Sequence, residues 1–191
     1  MFFKSNLKLS SDEELMLLIK RGNEKAFEAI YDRYAKRLHY FFYKMLNKDD
    51  DVADDFLQDI FIKLMDKAHL FHPEGKFKTW IYTLATNMVK NEYRRIGNLK
   101  TDRLTGYNDI QIFDNEWITS GIDIAIFKEE LNKVIDTLDE NDKVVFALRY
   151  NEELSVKEIA EIMNLPDGTV KSKLFYTLKK IAFKLNGLDP R

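Results

Sequence analysis

Leu154-Ser155-Val156-Lys157-Glu158-Ile159-Ala160-Glu161-Ile162-Met163-Asn164-Leu165-Pro166-Asp167-Gly168-Thr169-Val170-Lys171-Ser172-Lys173 reads as two helices joined by a tight turn. Ser155 and Glu158 stand at the spacing of a capping box, in which each residue satisfies the other's backbone N–H, so a helix should open here. Asn164 tolerates the left-handed conformation that closes such a helix, and Pro166-Asp167-Gly168 punctuates the turn. At 100° per residue, Val170, Leu174, Leu178, Ile181 and Leu185 fall on one narrow arc, the expected core face of the second helix. Ser172, Tyr176 and Lys179 point the other way, flanked by Lys171, Lys173 and Phe175. A basic helix that follows a short helix and a turn is the arrangement that enters a DNA major groove.

A plain helical hairpin with a solvated lysine face is the simpler reading. Phe175 and Tyr176 weigh against it, because they sit off the apolar arc, where this module cannot bury them. Aromatic rings among lysines suit contact with thymine methyls and sugars, while the lysines neutralise phosphates. Thr169 and the amides at the start of this helix suit a phosphate.

Charge is segregated along the chain. The net charge of -2 does not point to nucleic acid. Yet between Asp167 and Lys184, Lys171, Lys173, Lys179, Lys180 and Lys184 face a single aspartate, while Asp49, Asp50, Asp51, Asp54, Asp55 and Asp59 cluster far upstream. Such a division suggests one anionic and one cationic partner. With no cysteine there is no disulfide framework or thiolate metal site. No apolar run reaches membrane-spanning length and no signal-peptide core opens the chain, so a cytoplasmic protein without membrane insertion is expected.

Nearly every segment has helical periodicity, and the expected fold class is all-α. Ser11-Asp12-Glu13-Glu14 should cap a first short helix that ends by Gly22. A long helix should carry Phe27, Ile30, Tyr31, Tyr34, Leu38, Phe41, Phe42 and Met45 inward and break at 47–51. A third should bury Val52, Phe56, Leu57, Ile60, Phe61, Leu64 and Met65. His72-Pro73-Glu74-Gly75 is a loop by composition. A fourth helix should run from about Lys78 to Arg95 on Trp80, Ile81, Leu84, Ala85, Met88 and Val89, with Gly97 as its stop. Periodicity then lapses to about Asp123 in a stretch with a charge of -3 and apolar anchors at Ile112, Phe113 and Trp117. It reads as a linker between two helical modules, 1–96 and 126–191, with 97–125 as the tether.

Asp54, Asp55, Gln58 and Asp59 share one polar helix face, and Asp66-x-x-His69 places two potential ligands on another. Without the second Glu-x-x-His unit of a di-iron bundle, no metal and no cofactor is expected. Phe77-Lys78-Thr79-Trp80-Ile81-Tyr82-Thr83-Leu84-Ala85-Thr86-Asn87 mixes aromatic, polar and basic residues and continues to Arg94 and Arg95, a composition suited to unpaired bases. Trp80 suits the core better, which leaves Asn87 as the better base-contacting candidate. No nucleophile and base pairing, phosphate-cradling glycine loop or histidine cluster marks a catalytic centre.

Taken together, these motifs resemble the extracytoplasmic-function (ECF) sigma factors, specificity subunits of bacterial RNA polymerase. Ala53-Asp54-Asp55-Phe56-Leu57-Gln58-Asp59-Ile60-Phe61 is similar to the family's core-polymerase-binding helix. Phe77-Lys78-Thr79-Trp80-Ile81-Tyr82-x-Leu84-Ala85-x-Asn87 is similar to its promoter-melting segment, and the helix-turn-helix to its -35-reading motif. The resemblance spans about Ala26 to Arg95 (sigma region 2) and Phe127 to Leu185 (region 4). It implies that Asp54, Asp55, Gln58 and Asp59 bind the basic coiled coil of the β′ clamp, with region 4 on the β flap. It also implies that the loop from Phe71 to Phe77, with Asn87, takes a base flipped from the -10 element. Lys76, Lys78, Arg94 and Arg95 would contact phosphates, and Thr169, Lys171, Ser172, Lys173, Phe175, Tyr176 and Lys179 would read the -35 element. The linker would lie in the polymerase channel. An anti-sigma factor is implied by the same resemblance. Many family members carry arginine where Lys173 stands; a lysine lacks the fork that reads guanine, so methyl, backbone and shape contacts should weigh more here. The competing reading from the helix-turn-helix alone is a conventional DNA-binding regulator.

Overall fold

The computed structural model describes residues 7, 9–99 and 124–186, with side chains over 7, 9–97 and 130–185. Among them lie eight α-helices and no strand: α1 (Asp12–Ile19), α2 (Glu24–Met45), α3 (Asp50–Lys67), α4 (Phe77–Leu99), α5 (Ile124–Asp136), α6 (Glu140–Tyr150), α7 (Val156–Met163) and α8 (Asp167–Asn186). The expected anchors Ile112, Phe113 and Trp117 lie outside the described residues.

Local chemistry sets these boundaries. Ser11 and Glu14 close the expected capping box on α1, and Gly22 turns the chain at φ +78°. Asn23 and Asp49 cap α2 and α3 by accepting the amides of Ala26 and Val52. Between those helices Asn47 and Lys48 both take left-handed backbone angles, which reverses the chain in a few residues. The expected stop at Gly97 is not one: α4 continues to Leu99. A single glycine costs a helix about 1 kcal/mol, too little to end a long one.

Helices α1–α4 form the first module. Its interior is aromatic, with Phe41 edge-on to Tyr82 at 5.7 Å and Phe42 edge-on to Phe56 at 5.4 Å. Tyr34, Phe71, Trp80 and Phe77 form a second cluster, with centroids 5.1 Å apart for Tyr34–Phe77 and 5.7 Å for Phe71–Trp80. Edge-to-face pairs contribute about 0.5–1.5 kcal/mol beyond the area they bury, so the cluster fixes how α4 enters the bundle. In α5–α8, the second module, Val144, Val145, Leu148, Ile159, Ile162, Met163, Val170 and Leu174 are buried.

The two modules touch in the described structure. Helix α7 packs along α4, α6 meets α2, and buried residues of both modules join in one continuous core. The expected inward face of α4 was therefore too narrow, because Tyr82 and Thr86, off the expected set, are also fully buried.

Candidate nucleic-acid and protein interfaces

Three surfaces hold the expected site residues. On α3, Asp54, Asp55, Gln58 and Asp59 are all exposed, as an amphipathic helix with Ala53, Leu57 and Ile60 inward requires. His39 Nε2 lies 3.2 Å from an Asp54 carboxylate oxygen and Lys63 Nζ 3.8 Å from Asp59; the other charges face outward. Met65, expected in the core, is instead 52% exposed, and Ile62 matches it. Both continue the stripe of Asp55 and Gln58 by steps of three and four residues. An apolar strip beside carboxylates suits a protein surface that is basic and partly apolar. Ile62 falls on the polar side of the helical period, a signal available in the sequence but overlooked.

Along α4, Trp80, Thr83, Asn87, Asn91 and Arg94 share one arc. Asn87, Asn91 and Arg94 are exposed, Thr83 is half-buried, and Trp80 is half-buried against Phe71 and Phe77. This open face carries planar, amide and cationic groups in a line about 20 Å long. Arg95 lies at its margin, with Glu92 accepting from Nη2 at 2.6 Å and Nε at 2.8 Å. Asn91 and Thr83 were not among the expected contacts; their place on this arc is readable from spacing once Asn87 is taken as its centre.

Lys76 and Lys78 are elsewhere. Lys76 Nζ lies 2.8 Å from Glu158 Oε1 of the second module. Lys78 donates its ammonium proton to the Glu152 carbonyl, and burial lowers its pKa. The structure thus brings Asn87, Arg94 and Arg95 to one exposed surface and turns the two lysines to the seam between modules.

Helix α8 holds the third surface. Asn164 adopts φ 54°, ψ 52°, the left-handed close expected of it, and the Ser155–Glu158 capping box is formed. The turn itself is 164–166, since Asp167 and Gly168 already belong to α8. The Thr169 amide is not free, donating to the Pro166 carbonyl at 2.9 Å, so Thr169 offers its hydroxyl alone. Lys171, Ser172, Phe175 and Tyr176 are exposed, and the two rings meet edge-on at 5.4 Å. Lys179 is half-buried at the edge of this face. Lys173 is turned inward, 2.9 Å from the buried Asp142 of α6, whose other oxygen lies 3.4 Å from Lys180. Leu178, expected in the core, is exposed, and Thr177 takes the central buried position. Val170, Leu174, Thr177 and Ile181 follow the three-and-four spacing of the true contact face, and α5 packs on it with α6 and α7.

Among the described residues no group of three or more His, Asp or Glu gathers as a metal site, and His69 Nδ1 lies 2.9 Å from the Asp66 carbonyl. No helix among them is long and apolar enough to cross a membrane.

Comparison with known proteins bears on all three surfaces at once. Residues 30–98 match the family model for sigma-70 region 2, and residues 128–181 match that for sigma-70 region 4. The ECF RNA polymerase sigma-E factor of Haemophilus influenzae is 30% identical over 190 residues, covering 93% of this chain and 97% of that protein. The ECF sigma factor SigW of Bacillus subtilis is 32% identical over 169 residues, covering 82% and 87%. Among solved structures, the complex of CnrH with the cytosolic domain of CnrY aligns with a TM-score of 0.69 at 18% identity, over 93% of this chain and 99% of that one. The complex of sigma factor RpoE with the anti-sigma factor NepR from Bartonella quintana aligns at 0.65 and 20%, over 85% and 98%. Relatives that match end to end, through both modules, do not favour a conventional regulator with an unrelated N-terminal domain. The chain belongs to the ECF family of RNA polymerase sigma factors.

Proposed function

We propose that this sigma factor distributes promoter recognition over the three surfaces just described. The observation that carries the proposal is their separation: an acidic face with an apolar edge lies on α3, and cationic, amide and aromatic faces lie on α4 and α8. The first module acts as region 2 over 1–96, the second as region 4 over 126–191, with 97–125 between them. Asp54, Asp55, Gln58 and Asp59, together with Ile62 and Met65, bind the basic coiled coil of the β′ clamp of core polymerase, and region 4 docks on the β flap. The complex works in the cytoplasm, on promoter DNA, and an anti-sigma factor covers these faces when transcription is off.

On α4, Asn87 hydrogen-bonds a base of the -10 element flipped from the non-template strand, with Arg94 and Arg95 on phosphates. Flipping costs a few kcal/mol of stacking and pairing, which amide and backbone contacts must offset. Lys76 and Lys78 join them when the seam is open. On α8, Lys171, Lys179 and the Thr169 and Ser172 hydroxyls contact the -35 backbone, while Phe175 and Tyr176 touch thymine methyls and sugars. Lys173 serves this surface by holding α8 on α6. The polymerase makes the RNA; this subunit selects the start and performs no bond chemistry of its own.

Capture on immobilised core polymerase tests the α3 assignment. The triple variant Asp54→Ala, Asp55→Ala, Asp59→Ala should lose at least tenfold in affinity and keep its helical signal, because all three side chains are exposed. Undiminished capture would refute the assignment.

A further inference from the structure

Helix α1 precedes residue 30, where the match to region 2 begins, and none of the three surfaces uses it. Its inner side is buried through Leu15 and Met16, and the Ser11–Glu14 capping box fixes its start. It is also tied sideways to α2, since Asp12 accepts from Arg33 Nη1 at 2.5 Å and from the Tyr34 hydroxyl. Two further charged residues, Glu13 and Lys20, the residue that closes α1, reach across the module to backbone groups.

Both backbone groups belong to one loop. Lys20 Nζ donates to the Phe71 carbonyl at 2.5 Å, and the Phe77 amide donates to Glu13 Oε1 at 3.0 Å. Phe71 opens the loop and Phe77 is the first residue of α4, so α1 holds both ends. Between them the chain turns once, with the Gly75 amide donating to the His72 carbonyl at 2.9 Å. A Cβ on Gly75 would stand only 3.3 Å from that same oxygen, so the turn suits glycine. Exposure changes sharply at the two pinned residues. Phe71 and Phe77 are buried with their rings 6.2 Å apart, while 72–76 are all exposed. His72-Pro73-Glu74-Gly75-Lys76 is thereby displayed from two fixed points.

The anchor at Phe77 has a reason in the sequence. The Trp80 amide donates to the Lys76 carbonyl at 3.1 Å, which makes Lys76 the N-cap of α4. A lysine side chain has only donors, and the first turn of α4 carries no acid. The capping carboxylate comes instead from α1, 64 residues earlier. There it satisfies an orphan amide and faces the positive end of the helix dipole.

From this we infer that Glu13 and Lys20 are positioning residues for strand opening: α1 clamps both ends of loop 71–77, so that its exposed tip is set before a base arrives. The inference rests on the reading of this loop and Asn87 as the place that takes a base flipped from the -10 element. A flipped base loses its stacking and pairing. Ordering the loop at the moment of capture would add conformational entropy to that cost, and a loop ordered beforehand does not. Glu13 and Lys20 act through the loop and not on the DNA.

Holoenzyme assembled from the full chain and bacterial core polymerase tests the clamp, on a promoter that gives a protein-dependent run-off transcript. Permanganate reactivity of the -10 thymines reads the opening. Glu13→Ala combined with Lys20→Met should reduce opening about tenfold, as two lost hydrogen bonds allow, with helical signal and capture by core polymerase unchanged. Glu13→Gln keeps an oxygen that accepts the Phe77 amide and should open within about twofold of wild type. On the same promoter with the -10 element already unpaired by mismatches, the double variant should recover most of its run-off transcript, because flipping no longer has to be driven. Normal opening by the double variant would overturn the clamp, as would an equal deficit on both templates. A loss of core capture as large as the loss of opening would also overturn it, by making α1 a folding element alone. Glu13→Gln as impaired as Glu13→Ala would overturn the cap. Asn87→Ala, run alongside, separates the failures. If it is impaired while the double variant opens normally, the clamp falls and the base-binding reading stands; normal opening in both refutes the two together.

Discussion

Glu158 performs three tasks with one carboxylate. Its Oε2 accepts the Ser155 amide at 2.8 Å and the Ser155 hydroxyl at 2.6 Å, while Oε1 takes Lys76 from the other module. The hydrogen bond from Lys76, then that from Ser155, holds its carboxyl down at about 2, below the ordinary 4.5. A carboxyl whose folded pKa is depressed contributes stability that is complete above the unfolded value and lost as pH falls through the folded one. Chemical denaturation should therefore find Glu158→Gln less stable than wild type at pH 7. The gap should narrow from about pH 4.5 toward pH 2, and a gap independent of pH would contradict this account. Ser155→Ala should cost about 1 kcal/mol, the usual effect of losing an N-cap hydroxyl. Glu153 carries φ 55° without being glycine, a local cost that the Glu152 amide sustains by donating to the Ala147 carbonyl at 3.1 Å and the Leu154 amide by donating to Leu148 at 3.0 Å.

Within α8, two lysines two residues apart have different tasks. Lys171 is exposed, so Lys171→Ala should weaken -35 binding, reduce the slope of log K against log salt by about one, and leave thermal stability unchanged. Lys173→Ala should do the reverse: it lowers the melting temperature, because buried Asp142 loses one of its two cations. An equal loss of DNA affinity with no change in melting for both variants would show that Lys173 also faces DNA. The sequence alone made both look alike, since a helical wheel gives directions and not neighbours. The same reason explains Leu178 and Thr177: the arc of apolar residues was legible, but α5 and α6 pack slightly to one side of it. Helix existence, the two capping boxes and the left-handed Asn164 were legible because each depends on residues within four positions. Gly97 misled because one glycine is a weak signal in a long helix.

At the scale of the whole molecule, what could not be read from the sequence is the contact between modules. Tyr82 and Thr86 look like the flank of an amphipathic helix until α7 covers them, and Glu152 looks like a solvated loop acid until Arg37 meets it across 115 residues. Such pairings carry no local periodicity. They also change the meaning of residues that were correctly singled out, since Lys76 and Lys78 are candidates for DNA and, in the closed chain, ties between modules. Run-off transcription with purified bacterial core polymerase, with and without this protein, on a library of upstream regions tests the central claim. The account predicts protein-dependent transcripts from templates that share common -35 and -10 elements. No protein-dependent transcript, together with no capture of the wild-type chain by core polymerase, would contradict it.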